Sequence, residues 1–380
     1  MLRHAQTAGL AVLFVASGIW TAVSLQMWVS DLWRDRAGVD FGTYYSAALL
    51  GMARGWRALY EGNLYATWEH AVIGHSDKYV NLPLAAWAAL PFTVLPFRVA
   101  DVVWLLLLAG AFVWSWRTAT TGPRWERVLL LLAALASYPV HLAIDLGQLA
   151  LLVGALLVLH WWLLRAGHPV MAGVVLGLAF LKPQDVLLLP LVLLLSRSWK
   201  AAAACGITVA VLAVAVAVAI GFDGLHALQS TLSSGPPTCR YCSRQTLGAN
   251  LPGWAPQLPV RAAIVLVALV PAMVAGARRY ERALTAGVLG SLLVTPYLNH
   301  GDLTLLFVCA WLVLNAGASS LTRLALLVTY PFVAFENLTG PIPLLVAELA
   351  WLVALAWGGL SILDALPARL SRMTRHQLSS

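Results

Sequence analysis

The sequence predicts an all-α polytopic membrane protein, and three observations carry that reading. Of its 380 residues, 61% are hydrophobic and only 11% charged, with a mean hydropathy of +0.81. A soluble domain carries about a quarter charged residues. Apolar stretches approaching the ~20 residues of a membrane span recur along the chain, as in Ala201–Ile220, Ala262–Ala277 and Leu344–Leu363. The basic residues gather in short gaps between these stretches. That pattern explains the formal net charge of +8 by positive-inside topology and removes the case for nucleic acid as a partner. Seventeen Trp suit interfacial belts.

The N-terminus, Met1–His4 followed by an apolar run from Ala8, resembles a signal peptide but lacks a small-residue cleavage site. It reads as an uncleaved first span, about Ala8–Trp28, with Arg3 holding the N-terminus in the cytoplasm. Residues 29–101 form the first extracytoplasmic segment, with charges of both signs. Inside it, Gly38–Ala48 reads as a juxtamembrane helix, with Asp40 and Tyr44 one turn apart on one face and Tyr45 adjacent. Leu82–Pro96 is apolar enough to span, but a span there would put Arg117, Arg124 and Arg127 outside. It holds Pro83, Pro91 and Pro96, which break or kink helices. It therefore reads as a helix lying at, or dipping into, the outer leaflet.

Later basic gaps are Arg165–His168, Arg197–Lys200, Arg278–Arg282, Arg323 and the tail from Arg369 to Arg375. They alternate with polar gaps at Asp145–Gln148, Lys182–Asp185, Phe222–Pro259, Asn299–Asp302 and Asn337–Pro341, which should face outward. The expected architecture is one membrane domain over residues 1–380, with about twelve helices by span length and both termini cytoplasmic. Residues 222–259 form a second large outward loop. The halves show no repeat, which speaks against a secondary carrier.

Four outward breaks carry candidate chemistry. Asp40 sits at a water boundary beside apolar surface, where a carboxyl pKa rises toward that of a general base. Spacing alone favours its capping the helix instead. Lys182, with Gln184 on the same turn, interrupts two apolar runs. Pro183 fits the first position of a new helix, so free N–H groups and the ammonium could hold a phosphate. Snorkelling to the interface is the plainer account; the Lys-Pro junction favours the anion site. Asn299, His300 and Asp302 could position an acceptor hydroxyl or a phosphosugar, and an outward turn capped by Asp302 explains them equally well. Asp145 and Gln148 could hydrogen-bond sugar hydroxyls, or cap helices. Together the four breaks would line a cavity opening outward.

Of four cysteines, Cys205 and Cys309 lie in apolar runs and read as core. Cys239 and Cys242, in the outward loop, could form a local disulfide. That loop reads first as a simple connection. No cluster at metal-ligand spacing is present in the sequence, and no cofactor is implied.

Four motifs resemble the polytopic glycosyltransferases of the GT-C type, most closely glycosyltransferase family 87. They are Asp40-Phe-x-x-Tyr44-Tyr45-x-Ala47-Ala48 with Ala58-Leu59-Tyr60-Glu61; Leu82-Pro83-Leu84 with Leu95-Pro96; Leu146-Gly147-Gln148; and Ala172-Gly173 through Gly177 to Lys182-Pro183. The likeness covers residues 8–222. Val80-Asn81-Leu82-Pro83-Leu84 departs from the relatives' Tyr-Pro-Pro-Leu. Asn299-His300-Gly301-Asp302 departs from their paired acid and histidine, which bears on acceptor identity.

The resemblance implies a GT-C-like bundle in a cell membrane, read as a bacterial plasma membrane, with an extracytoplasmic active site. It implies a polyprenyl phosphate sugar donor, mannose first, and a lipid-linked or glycan acceptor. Chemistry would be inverting, with Asp40 as base, Lys182 and Gln184 at the donor phosphate, and Tyr44, Tyr45, Gln148, Asn299, His300 and Asp302 about the substrates. A transporter or flippase for a lipid-linked glycan is the alternative, and a structural subunit of an envelope-assembly complex a weaker one.

Overall fold

The computed structural model describes residue 15 and residues 18–30, 38–76, 78–234, 245–253, 255–275 and 279–357. Among these, every regular element is a helix. Helix α1 covers residues 18–30. The first outward segment supplies α2 (Val39–Arg54), a 3-10 turn at Trp56–Tyr60, α3 (Leu64–Ile73) and α4 (Pro83–Ala89). Pro83 starts α4 where its missing N–H costs nothing, and Pro91 falls where the helix tightens into the 3-10 turn Leu90–Val94. Together they rise about 18 Å at 1.5 Å per residue, well short of a ~30 Å hydrocarbon core. Both pack on α2.

Among the described residues, three helices are long and apolar enough to cross a membrane: α5 (Phe97–Ala119), α11 (Trp199–Ser234) and α13 (Gln257–Ala275). A fourth arises if α6 (Arg124–Leu135) and α7 (Tyr138–Asp145), bent by 67°, count as one. The other apolar helices are shorter: α8 (Ala150–Arg165), α9 (Pro169–Leu178), α14 (Tyr280–Val294), α15 (Thr304–Asn315), α16 (Ser320–Ala334) and α18 (Pro341–Trp357). Short pieces α10 (Leu189–Leu195), α12 (Leu247–Asn250) and α17 (Glu336–Thr339) complete the order. About twelve spans were expected by length; among the described residues, several apolar runs are divided at prolines and polar residues into shorter helices.

The outward loop expected at Phe222–Pro259 is more regular than its composition suggests. Gly221 (φ 68°) leaves helical geometry where that loop was to begin, yet helix resumes through residue 234. Cys239 and Cys242 lie outside the described residues. Cys205 and Cys309 are buried and free, as read from the sequence. The family-like run Gly173–Gly177 has a packing reason. α9 lies on α11 so closely that a Cβ on Gly173 would come within 2.2 Å of the Ala201 carbonyl oxygen, and one on Gly177 within 2.5 Å of Thr208 Cβ. Small residues four apart are what close helix approach in a membrane uses.

Candidate active site

Asp40 is the second residue of α2, and its side chain does not cap that helix. The cap comes from elsewhere in the chain. α7 ends in a Schellman turn, with Gly147 at φ +70° donating to the Ile144 carbonyl at 3.1 Å and Gln148 N–H donating to Ala143 at 2.8 Å. This leaves the Asp145 and Leu146 carbonyls pointing at the start of α2. Gly38 N–H donates to Asp145 at 2.7 Å, Asp40 N–H to Leu146 at 2.9 Å and Phe41 N–H to Leu146 at 3.2 Å. The orphan donors of the helix terminus are thereby satisfied by backbone, and the Asp40 carboxyl is released from the capping role that spacing favoured.

Desolvation raises the Asp40 pKa to about 6, against the pull of Lys182, Gln148 and His75, while Asp302 pushes it further up. Lys182, Gln148 and Asp302 thus share one electrostatic site with Asp40, although they lie far apart in sequence. Tyr44, one turn on, is buried beside Asp40. Burial first, then the Asp40 charge, holds its hydroxyl well above the ordinary tyrosine range. Tyr45 is not part of this group: its hydroxyl donates to the Leu95 carbonyl at 2.9 Å and its ring packs on Phe41 and Phe97.

Lys182 does not snorkel. It is buried, and its Nζ forms an ion pair with Asp302 Oδ1. The expected helix start at Pro183 is a single 3-10 turn, Pro183–Asp185, so no array of helical N–H groups supports Lys182. Gln184 sits half-buried on that turn. Asp302 is not an N-cap: Asn299 caps the 3-10 turn His300–Leu303, and Asp302 Oδ2 accepts from Asn299 N–H at 3.0 Å in a capping box. His300 turns to a second cluster, with Nδ1 on Glu336 Oε1, Gln245 Nε2 3.0 Å from Nε2, and the Tyr138 ring edge-on at 5.6 Å.

Two further side chains here are fully buried. Asp185 has no hydrogen bond to either oxygen but lies within the field of Lys182, and the Gln148 amide has the Asp40 carboxyl as its neighbour; both residues have 0% exposure. Gln148 Oε1 presses on Gly301, where a Cβ would meet it at 2.0 Å. Buried polar groups with little hydrogen bonding cost free energy.

Sequence reading missed Glu69. It is fully buried, and its Oε1 accepts from Thr43 Oγ1 at 2.7 Å and Tyr65 OH at 2.9 Å; His75 Nδ1 lies 3.5 Å from Oε2. Tyr65 OH also lies 2.9 Å from the Thr43 carbonyl, so its one proton is shared between the two acceptors. Glu69 therefore clamps α3 to α2 one turn from Asp40. Glu336 was missed too. The only available signal was an acid inside an apolar run, present for both residues. Among the described residues, no group of three or more His, Cys, Asp and Glu could hold a metal ion.

The fold and site together define an all-helical membrane protein with a buried polar centre where shortened helices meet. A model of glycosyltransferase family 87 matches residues 79–296, and the chain belongs to that family. It is a membrane glycosyltransferase. The match starts after Asp40 and ends before Asn299; it contains Gln148, Lys182 and Gln184, and it runs past residue 222, where the motif likeness faded. No curated protein and no solved structure matches the chain.

Proposed function

We propose that the protein transfers a sugar, mannose first among candidates, from a polyprenyl phosphate donor to a lipid-linked or glycan acceptor on the extracytoplasmic face, with inversion at the anomeric carbon. One observation carries this reading: the Asp40 carboxyl, spared from capping, shares a site with the Lys182–Asp302 pair and Gln148. Asp40 takes the proton of an acceptor hydroxyl. The acceptor oxygen forms its bond to the anomeric carbon as the bond from that carbon to the phosphate oxygen breaks, and polyprenyl phosphate leaves with the electron pair. This is the geometry of inverting glycosidases with a sugar hydroxyl in place of water.

Lys182 has three N–H donors and spends one on Asp302. The other two are available to the leaving phosphate, where a fixed positive charge stabilises developing negative charge. Asp302 positions Lys182. Gln148, Tyr44 and Gln184 are the polar groups nearest the substrates. Asn299 holds Asp302 in place, and His300 with Glu336 lies to one side, toward the acceptor. No metal or cofactor enters the scheme.

Charge supports the sidedness. The start of α5 lies at the site, through the Trp104 Nε1 bond to the Gly147 carbonyl at 2.8 Å. Its other end carries Arg117, whose carbonyl accepts from Arg127 at 3.0 Å, about 20 Å from Trp104 along the helix. α8 likewise runs from beside Gln148 to Arg165. Basic residues mark the cytoplasmic ends, so the Asp40 end faces outward. α9 and the 3-10 turn after it rise only about 20 Å, short of a ~30 Å hydrocarbon core, and Lys182 at their end is buried.

The test is incubation of the purified protein with radiolabelled polyprenyl phosphate mannose or polyprenyl phosphate arabinofuranose and a panel of lipid acceptors. Transfer from the mannose donor, lost in Asp40→Asn, is the expected result. Transport of lipid-linked glycan in proteoliposomes without elongation would replace this reading with the flippase.

A further inference from the structure

The turn that carries Asp302 is held from three sides. His300, Gly301 and Asp302 follow one another on the 3-10 turn His300–Leu303. Asp302 pairs with Lys182. Gly301 lies so close to α7 that a Cβ on it would come within 3.3 Å of the Ala143 Cα, besides striking the Gln148 amide. His300 Nδ1 pairs with Glu336 Oε1. Within the turn, Asn299 N–H donates to Asp302 Oδ2 at 3.0 Å and Asp302 N–H to the Asn299 carbonyl at 2.9 Å, so it moves as one piece. Lys182, Gln148 and Asp302 all act on Asp40, and the turn carries or touches each of them.

The third anchor is fixed by its own surroundings. α16 breaks at Phe335, which leaves helical geometry at φ −123° and ψ 37°, and Glu336 opens α17. The Phe335 ring meets Tyr330 and Trp20 edge-on, with centroids 6.5 and 6.2 Å away, and Tyr330 OH donates to the Ala133 carbonyl at 2.8 Å. Glu336 is thereby tied to α1 and α6. Stability gives little reason for a carboxylate at this place. Glu336 is 1% exposed and its Oε2 has no hydrogen bond. Glu348 on α18, equally buried and with neither oxygen hydrogen-bonded, lies within its field. A buried carboxylate costs free energy unless it is paired, and a like charge nearby adds to that cost. The one ion-pair partner of Glu336 among the described residues is His300. A costly carboxylate with a single imidazole partner is explained by what that imidazole holds.

We propose that Glu336 is a positioning residue for the donor-phosphate group: by anchoring His300 it fixes the turn, and through Asp302 on that turn it sets where the Lys182 ammonium stands. The inference rests on the glycosyl-transfer reading above and adds to it a residue that touches no substrate. Glu336 lies beyond the matched residues 79–296. Without the anchor, Asp302 keeps Lys182 as its partner, but the pair shifts with the turn. A misplacement of about 1 Å costs up to about 10² in rate.

The experiment uses the full chain in detergent, as wild type, Glu336→Met, Glu336→Gln, Lys182→Met and the double variant Glu336→Met with Lys182→Met. Transfer from radiolabelled polyprenyl phosphate mannose is measured with donor and acceptor varied separately, beside thermal unfolding without substrate. Glu336→Met is expected to lower kcat about tenfold, within that limit, and to leave the acceptor KM unchanged. Glu336→Gln, whose amide oxygen still accepts from His300, recovers most of the loss. In Lys182→Met the Glu336→Met change adds nothing further, and the two changes are non-additive in unfolding as well. Should Glu336→Met not fold, Glu336→Asp, one methylene short of His300, takes its place in the same cycle. A loss that multiplies that of Lys182→Met, a change confined to the acceptor KM, or no recovery in Glu336→Gln overturns the proposal. If the wild type transfers no mannose, unfolding decides: non-additive changes support the anchor and count against the glycosyl-transfer reading alone, and additive ones overturn the anchor.

Discussion

Glu69 and Asp185 are both fully buried carboxylates, and they are treated in opposite ways. Glu69 accepts from Thr43 and Tyr65 and has His75 at 3.5 Å. Asp185, one turn from Lys182, has no hydrogen bond to either oxygen. The first region is complete without a ligand and positions α2. The second bears on the chain through charge alone, attracted by Lys182 and repelled by Asp302. The contrast separates the support of Asp40 from the surface on which a phosphosugar would rest.

The largest expected effect belongs to neither. Asp40→Asn should lower transfer by about 10² to 10⁴, the usual worth of a general base, with no loss of melting temperature, because its side chain caps nothing and its ionisation costs the folded state stability. Lys182→Met should lower turnover by about 10² to 10³. It should also destabilise the fold by about 3–5 kcal/mol, since Asp302 is left buried and unpaired. Lys182→Met with Asp302→Asn should recover stability and not activity; thermal unfolding in detergent beside the transfer assay separates the two.

The comparison itself is sharpened by a matched pair. Glu69→Gln should cost about 1–3 kcal/mol, because an amide nitrogen cannot accept from the donors it displaces, and it should slow transfer through misplacement of α2. Asp185→Asn should cost less, since no hydrogen bond is lost and only its charge attraction to Lys182 goes, while raising KM for the donor. A stability loss in Asp185→Asn equal to that in Glu69→Gln would break the distinction.

The sequence made the membrane bundle legible because hydropathy and charge asymmetry are local signals. It also marked the residues at the four breaks. Their partners were not legible. Lys182 meets Asp302 across 120 positions and His300 meets Glu336 across 36, and such pairings leave no periodicity to read. The capping role of Asp40 failed for the same reason: the carbonyls that satisfy its helix come from α7. Even span length was only partly readable, because hydropathy does not report where a proline or a buried polar residue divides an apolar run.

The Asp40 carboxyl also has a pH signature. With its pKa raised from 3.8 to about 6, ionisation of Asp40 costs the folded state stability, and protonation as pH falls through about 6 relieves that cost. Activity runs the other way, because a base must be ionised. The most direct test is therefore the pH dependence of kcat/KM for transfer from polyprenyl phosphate mannose, in the wild type and Asp40→Asn. The account expects an acid limb with an apparent pKa of about 6 that disappears from the residual rate of Asp40→Asn. A flat profile through that range, or the same limb in the variant, would contradict the assignment of Asp40 as the base.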